Sequence, residues 1–377
     1  MRTITLESLE DFQEYQEAWE GLRHECGAPI FASYDLVHLW LDNYKSVVKP
    51  HVVLVEDRGE IVGVAPMFTS HSRVMGLPLN FIGMVGNMNT LLGYSLYSVF
   101  AKQDNPEIVR EMLGCVKKAK WNLLIMSKME TNPSTLRFLD GLPQKGEDSN
   151  RTLNTSMDRS YVFPLEGNIA ADFGKSYRRH LQNFRNRLEK EGRMDFHQVG
   201  SVEDAERAMN LYLSNHDRQW EHEGSHLSTA LNRRQLVEIG KLAVRTGKGE
   251  INELLIDGEV AGQVLSFFDG NVSRGFRVGM TDKFREFSPG KLAIIRTMEE
   301  NRKMGIKVMD FLHGNEDYKV HMTNMQHPLG SATVYKGTLG AISRFRSFPA
   351  MRFLENHLKF HDRIEGLLYE NKVGMDP

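Results

Sequence analysis

His313, Glu316, Tyr318 and Lys319 lie close together in the sequence and carry the side chains that acyl transfer needs. His313 or Glu316 can take a proton from an attacking amine, Tyr318 can give one to a leaving group, and Lys319 supplies a positive charge. The apolar run Val308-Met309-Asp310-Phe311-Leu312 precedes them and reads as a strand. Ligands of α/β sheets gather beyond the carboxyl ends of strands, so this stretch should overlook a cleft. A polar surface turn would have the same composition.

A second stretch could hold an anion. In Phe287-Ser288-Pro289-Gly290-Lys291, Ser288 suits a helix N-cap and Pro289 the first helical position. Gly290 removes a side chain where a ligand could approach the backbone. Free N–H groups and the helix dipole favour negative charge there, and Lys291 adds a full positive one. The strand Arg274–Gly279 leads into this turn, and an extended ligand could lie along it near Val278. A pyrophosphate-bearing donor such as acetyl-CoA or another acyl-CoA fits these features; a plain capped helix is the alternative.

Residues 173–192 read as a basic helix, with Tyr177, Leu181, Phe184 and Leu188 forming one apolar stripe. Most of its cations fall off that stripe. Arg178, Arg179 and Arg185, together with Trp220, are the expected contacts to an anionic substrate; a solvated helix face is the bland alternative.

The elements that must position these residues occur twice. Trp19-Glu20 recurs as Trp220-Glu221, and Gly59-Glu60-Ile61-Val62-Gly63 as Gly258-Glu259-Val260-Ala261-Gly262, about 200 residues further on. The second motif follows a strand-like run in both copies, His51–Val55 and Glu253–Ile256, with Asp-Arg-Gly or Asp-Gly as the hairpin turn. Each copy continues into a helix, from Pro106 or Pro289, and a short strand, Trp121–Ile125 or Val308–Leu312. Hairpins combined with a strand–helix–strand crossover predict an α/β fold with mixed sheets, in two tandem domains. The expected boundaries are 1–150, 160–345, and a helical tail over 346–377, with a seam from Gly141 to Ser160. The two helix starts differ: Glu107 puts a negative side chain where Gly290 and Lys291 stand in the second copy. Only the second domain should therefore handle the donor.

Composition narrows the class. Among 377 residues, 47 Lys+Arg against 49 Asp+Glu leave a net charge of −2, which gives no global field for wrapping nucleic acid. Hydrophobic content of 41% and charged content of 25% are those of an ordinary globular chain. No apolar run is long enough to span a bilayer, and no signal-peptide core opens the chain. Cys26 and Cys115 form no CxxC pair, which fits a reducing compartment, and a cytoplasmic location is expected. No HExxH, GxSxG or phosphate-loop motif is present, so neither a metal nor a serine or cysteine nucleophile is expected.

Taken in order, Ser176-Tyr177-Arg178-Arg179-His180-Leu181-Gln182-Asn183, Leu188-Glu189-Lys190-Glu191-Gly192, Ser288-Pro289-Gly290 and Asp310 to Lys319 resemble the CelD/BcsL-like acyltransferases. These belong to the GNAT superfamily and are linked to extracellular polysaccharide synthesis. The chain is also similar, more distantly, to the Fem aminoacyltransferases, which use two tandem GNAT-like domains and aminoacyl-tRNA. The resemblance implies N-acyl transfer to the amine of a sugar or small metabolite. It matches Ser288, Pro289 and Gly290 to a donor-pyrophosphate turn, Tyr318 to a general acid, and Lys319 to a position shared with the Fem group. The Arg/Gln-x-x-Gly-x-Gly/Ala turn of the main superfamily is absent, so a donor other than coenzyme A stays open. Three readings follow: an N-acetyltransferase, an aminoacyl-tRNA-dependent transferase, and a non-catalytic binding module of a biosynthetic complex.

Overall fold

The computed structural model describes residues 1–337 except 75–76, 87–97, 145–148, 168, 170–172, 220–226, 228 and 315. Trp220, Asn315 and the tail over 346–377 lie outside the described residues. The chain divides into two compact units, Met1–Asp158 with Pro328–Pro377, and Arg159–His327.

In chain order, the first unit contains β1 (Arg2–Leu6), α1 (Gln16–Glu25), α2 (Tyr34–Asn43), β2 (Lys49–Pro50), β3 (Val52–Asp57) and β4 (Glu60–Ala65). It continues with β5 (Met67–Val74), β6 (Leu77–Met84), β7 (Phe100–Ala101), α3 (Pro106–Lys118), β8 (Leu123–Glu130) and α4 (Pro133–Gly141). The boundary between the units falls within β9 (Ser149–Pro164), and the second unit continues through α5 (Lys175–Lys190), β10 (Met194–Gln198), α6 (Val202–Gln219), α7 (Ala230–Thr246) and β11 (Gly249–Ile256). Then come β12 (Glu259–Asp269), β13 (Val272–Met280), α8 (Pro289–Lys303), β14 (Val308–His313) and α9 (Asp317–Met322), after which β15 (Gln326–Lys336) belongs almost wholly to the first unit.

Strands of the first unit run in the orders β1-β3-β4-β7 and β15-β8-β6-β5-β2; those of the second run β10-β11-β12-β13-β14-β9. Most pairs are antiparallel, while β6–β8 and β13–β14 are parallel, so the α/β fold has mixed sheets. Pro66 separates β4 from β5, because it lacks the N–H a ladder needs.

The repeat is visible in detail. The β3–β4 turn places Arg58 and Gly59 at φ of 53° and 85°; the β11–β12 turn places Asp257 and Gly258 at 53° and 77°. Both hairpins carry one bulge at the same place, between Val55/Glu56 and between Leu254/Leu255. The last glycine of the repeated motif serves one purpose in both units. A Cβ on Gly63 would run into Met112 and Ile108 of α3, and one on Gly262 would lie 2.6 Å from the Pro289 carbonyl oxygen of α8. Each glycine thus lets the crossover helix press on the hairpin.

Two expectations need redrawing. The polar stretch Gly141–Ser160 contains most of β9, whose residues 149–164 form one long strand. Residues 328–336 group with the first unit, because β15 pairs antiparallel with β8 from Leu329↔Glu130 to Tyr335↔Leu123. Short apolar alternation, with no local turn signal, marks a strand but does not name its partner.

In the second unit β11 and β12 are buried on both faces. Alternate residues explain this: Asn252 reaches Thr297 of α8, while Gln263 reaches the Ala208 carbonyl of α6. Helices α6 and α7 therefore cover one face and α8 the other. The stripe of α5 joins the α8 side, where Leu181 and Leu188 are buried with Leu292, Ile295 and Met298.

Candidate active site

Strands β13 and β14 are paired over only three positions, Val272↔Val308 to Arg274↔Asp310, although β13 continues to Met280. Each strand leaves the ladder through an irregularity. In β13 the register against β12 shifts so that Phe276 is the extra residue; in β14 the register against β9 shifts between Asp310 and His313. Leu312 there takes φ of 59°, and its N–H donates to Asp310 Oδ1 at 2.8 Å. Bulges increase local twist and re-aim the chain, so the two strands open a wedge beyond Arg274 and Asp310.

One end of the wedge belongs to α8. Val278 and Met280 face its first turn: a Cβ built on Gly290 would touch Val278 Cγ1 at 3.5 Å and Met280 at 3.6 Å. The structure therefore brings Val278, Pro289, Gly290 and Lys291 together. It also changes the reason for Gly290, whose missing side chain would face β13 instead of an open ligand site. Ser288 occupies the N-cap position, but with φ of 53° its hydroxyl takes no capping bond. Its carbonyl instead accepts the N–H groups of Lys291 and Leu292. By contrast, the start of α3 is closed by Asn105, whose side chain accepts the Glu107 N–H at 2.9 Å.

The other end belongs to α9. Tyr318 packs edge-on to Phe311, and its phenol is pushed far above the ordinary value, first by burial and then by the Glu316 carboxylate. Tyr177 of α5 and Tyr212 of α6 also act on it, although these helices cover opposite faces of the sheet. Tyr177 links the two ends: the Lys291 ammonium lies 5.1 Å from its ring centre and the His321 ring 5.2 Å away. Its hydroxyl is buried with no hydrogen-bond partner among the described residues, and burial raises its pKa strongly.

Lys319 is only 2% exposed. Its Nζ donates to the carbonyls of His313 (2.7 Å) and Leu312 (3.4 Å) and lies 2.9 Å from Glu316 Oε2. Burial lowers its pKa, with the Glu316 carboxylate opposing. Its charge is thus spent on fixing the end of β14. Glu316 itself is 56% exposed and faces solvent beside that pair.

The basic helix is only partly available. Arg185 is tied to Glu299 at 2.5 Å and Glu189 at 2.8 Å, so it braces α5 on α8. Arg187 lies over the Phe287 ring. Arg179 is exposed and Arg178 half-buried. Residues missed in the sequence are Tyr177, Tyr212 and the Arg274–Asp310 pair. Tyr177 read as one more member of an apolar stripe, and only its unpartnered hydroxyl sets it apart. Among the described residues no group of His, Cys, Asp and Glu could hold a metal ion, and no helix is long and apolar enough to cross a membrane.

Residues 175–320, most of the second unit, match the acetyltransferase (GNAT) domain family. The second unit is a GNAT-like acetyltransferase domain. The acyltransferase also shares its fold with FemX, at 12% identity over 92% of this chain and 100% of that one, with a TM-score of 0.62. L-PGS from Bacillus licheniformis aligns at 12% identity over 91% and 95% of the two chains, TM-score 0.51. The C-terminal domain of a putative lysylphosphatidylglycerol synthetase from Agrobacterium fabrum does so at 11% over 90% and 96%, TM-score 0.51. No curated protein matches the acyltransferase in sequence.

Proposed function

We propose that this acyltransferase moves an acyl group, acetyl first among them, from a coenzyme A thioester to the amine of a sugar or small metabolite. The observation that carries the reading is the wedge between β13 and β14, with Lys291 in the first turn of α8 at one end and Tyr318 at the other. The Lys291 ammonium, at the positive end of the α8 dipole, would hold the donor's phosphates, and the acyl arm would lie along β13 beside Val278. The amine nitrogen bonds to the acyl carbon as the carbon–sulfur bond breaks. Glu316 or His313 takes the proton that the amine loses, and Tyr318 gives one to the leaving thiolate. Burial keeps the phenol protonated, so it can hold a hydrogen bond to that sulfur as negative charge develops on it. Lys319 then acts by holding the carbonyls of Leu312 and His313. The capped start of α3, with Glu107 in its first turn, argues for a first unit without a donor site.

The test is isothermal titration of acetyl-CoA against the wild type, Lys291→Gln and Lys291→Glu. Binding should weaken in that order, by about tenfold or more for the reversed charge. Absent wild-type binding, or equal affinity in all three proteins, overturns the donor assignment.

A second reading has specific support in the missing superfamily pyrophosphate turn: an aminoacyl-tRNA donor, with a peptidoglycan-type acceptor. It predicts tRNA retained on purification and a steep salt dependence carried by Arg178 and Arg179. Resemblance to the CelD/BcsL-like group supports a place in polysaccharide or envelope synthesis under either donor.

A further inference from the structure

Beyond its bulge, β13 shows different side chains on its two faces. Val278 and Met280 meet the first turn of α8, whereas a Cβ on Gly279 would lie 2.7 Å from the Tyr212 ring of α6. Arg277 shares the α6 face by alternation, between the vertex at Arg274 and the point where Tyr212 presses on the strand. Consecutive strand residues normally point apart, yet the bulge sets the Arg277 guanidinium 4.1 Å from the centre of the Phe276 ring. Phe276 is buried edge-on to Phe267 of β12, and Arg277 Nη1 donates to the Phe276 carbonyl at 2.8 Å. The half-buried guanidinium is thus seated on a fixed ring. Its charge reaches both α6 and α9. Burial lowers the pKa of His216 and of Lys319, and Arg277 pushes each further down. Burial raises that of Tyr212, where Arg277 opposes and the Glu316 carboxylate adds. One buried phenol therefore feels a cation from β13 and an anion from the start of α9.

We infer that Arg277 is the specificity residue of an acceptor subsite on the α6 face of β13, and that the acceptor is an amine bearing an anionic group, carboxylate or phosphate. The inference rests on the acyltransferase reading and chooses among its acceptors. With the donor arm beside Val278 on the α8 face, the amine is left the opposite face and reaches the thioester where β13 and β14 part. Arg277 stands there, one residue from Val278 and on the face away from Lys291. Its planar guanidinium meets the anion with paired hydrogen bonds. The ammonium end faces Glu316 before Glu316 or His313 takes its proton. Opposite charges on the protein thus match opposite charges on one substrate. An amine with no anion would bring only positive charge to Arg277 and be repelled.

Calorimetric titration into the full chain compares two pairs of probes, glucosamine 6-phosphate with glucosamine, and L-lysine with L-lysinamide. At least one anion-bearing member should bind about tenfold more tightly than its partner, and the pair that shows it tells phosphate from carboxylate. Arg277→Gln should abolish that preference, while Arg277→Lys, which keeps the charge without the planar fork, should retain part of it. Acetyl-CoA affinity should be the same in all three proteins, since Arg277 faces away from the donor. Equal affinity within both pairs, no binding of either anion-bearing probe at millimolar concentration, or a preference that survives Arg277→Gln overturns the assignment. Acetyl-CoA affinity lost in Arg277→Gln and kept in Arg277→Lys would move Arg277 to the donor and overturn it as well. Acetyl-CoA binding without any anion preference rejects the acceptor alone, whereas an Arg277-dependent preference without acetyl-CoA binding rejects the donor.

Discussion

The Arg274 guanidinium lies 2.8 Å from the Asp310 carboxylate, and the β13–β14 ladder ends at this pair. Asp310 is 1% exposed and also accepts the Ser160 hydroxyl at 2.5 Å and the Leu312 N–H at 2.8 Å. One carboxylate therefore ties β13, β14 and β9 together at the vertex of the wedge and holds Leu312 in its left-handed turn. Removing it strands two donors, while Arg274 keeps Asp269 at 3.0 Å. Asp310→Ala should cost on the order of 3 kcal/mol, and Asp310→Asn less, because an amide oxygen still accepts the Leu312 N–H. Urea unfolding of both variants checks the order.

The two glycines around the start of α8 should respond differently to alanine. At Gly262 a Cβ meets the backbone of Pro289 at 2.6 and 2.8 Å, and backbone cannot rotate away. At Gly290 the nearest atom lies 3.5 Å off, an ordinary contact. Gly262→Ala should destabilise by about 2 kcal/mol and loosen the donor end of the wedge. Gly290→Ala should cost about 1 kcal/mol or less, the helix gaining from the better helix former. A weaker effect at Gly262 than at Gly290, read from denaturation midpoints, would reject this account of how α8 is seated.

Much of this architecture was legible in the residues. The Gly59 and Gly258 motifs marked equivalent hairpins because a positive φ leaves few residues to choose from. Pro106 and Pro289 marked the crossover helices because the first helical position needs no N–H. Strand β9 was not legible, since its polar, Asn- and Ser-rich sequence lacks the alternation of a half-buried strand. Arg185 read as a free cation because sequence does not show that Glu299, over a hundred positions away, would meet it. The Ser288 hydroxyl read as a cap because its type fits, whereas its left-handed backbone turns the side chain away. The Asp310 network was hidden for a similar reason, its partners being spread over three strands.

Tyr177 should trade stability against ligand binding. A buried hydroxyl with no partner among the described residues costs roughly 1 kcal/mol or more, so Tyr177→Phe should raise the melting temperature. If the hydroxyl is kept for a ligand beside Lys291, the same variant should weaken acetyl-CoA binding several-fold. Thermal melting and titration on one preparation read both effects. Lower stability together with unchanged donor affinity would show that the hydroxyl is satisfied within the fold and idle toward the donor.

Tyr318 can be separated from its neighbours by pH. Its folded pKa and that of Tyr177 lie above the ordinary tyrosine value of about 10, through burial first, so the stability they lend is complete below that pH. As pH climbs past about 10 the unfolded chain releases these protons while the folded chain keeps them, and stability falls. Lys319 works the other way, since its lowered pKa makes the folded chain shed a proton before the unfolded one does. Its burial penalty is relieved as pH rises toward the ordinary lysine value, so its share of stability increases over that window. Urea midpoints from pH 8 to 11.5 should show the loss concentrated above about pH 10, shallower in Tyr318→Phe, and an unchanged slope in that variant would reject the assigned direction. At neutral pH the same variant should melt near the wild-type temperature yet lose about a hundredfold in kcat, with KM for the donor little changed. A change confined to KM would make Tyr318 a binding contact and remove it as the proton donor.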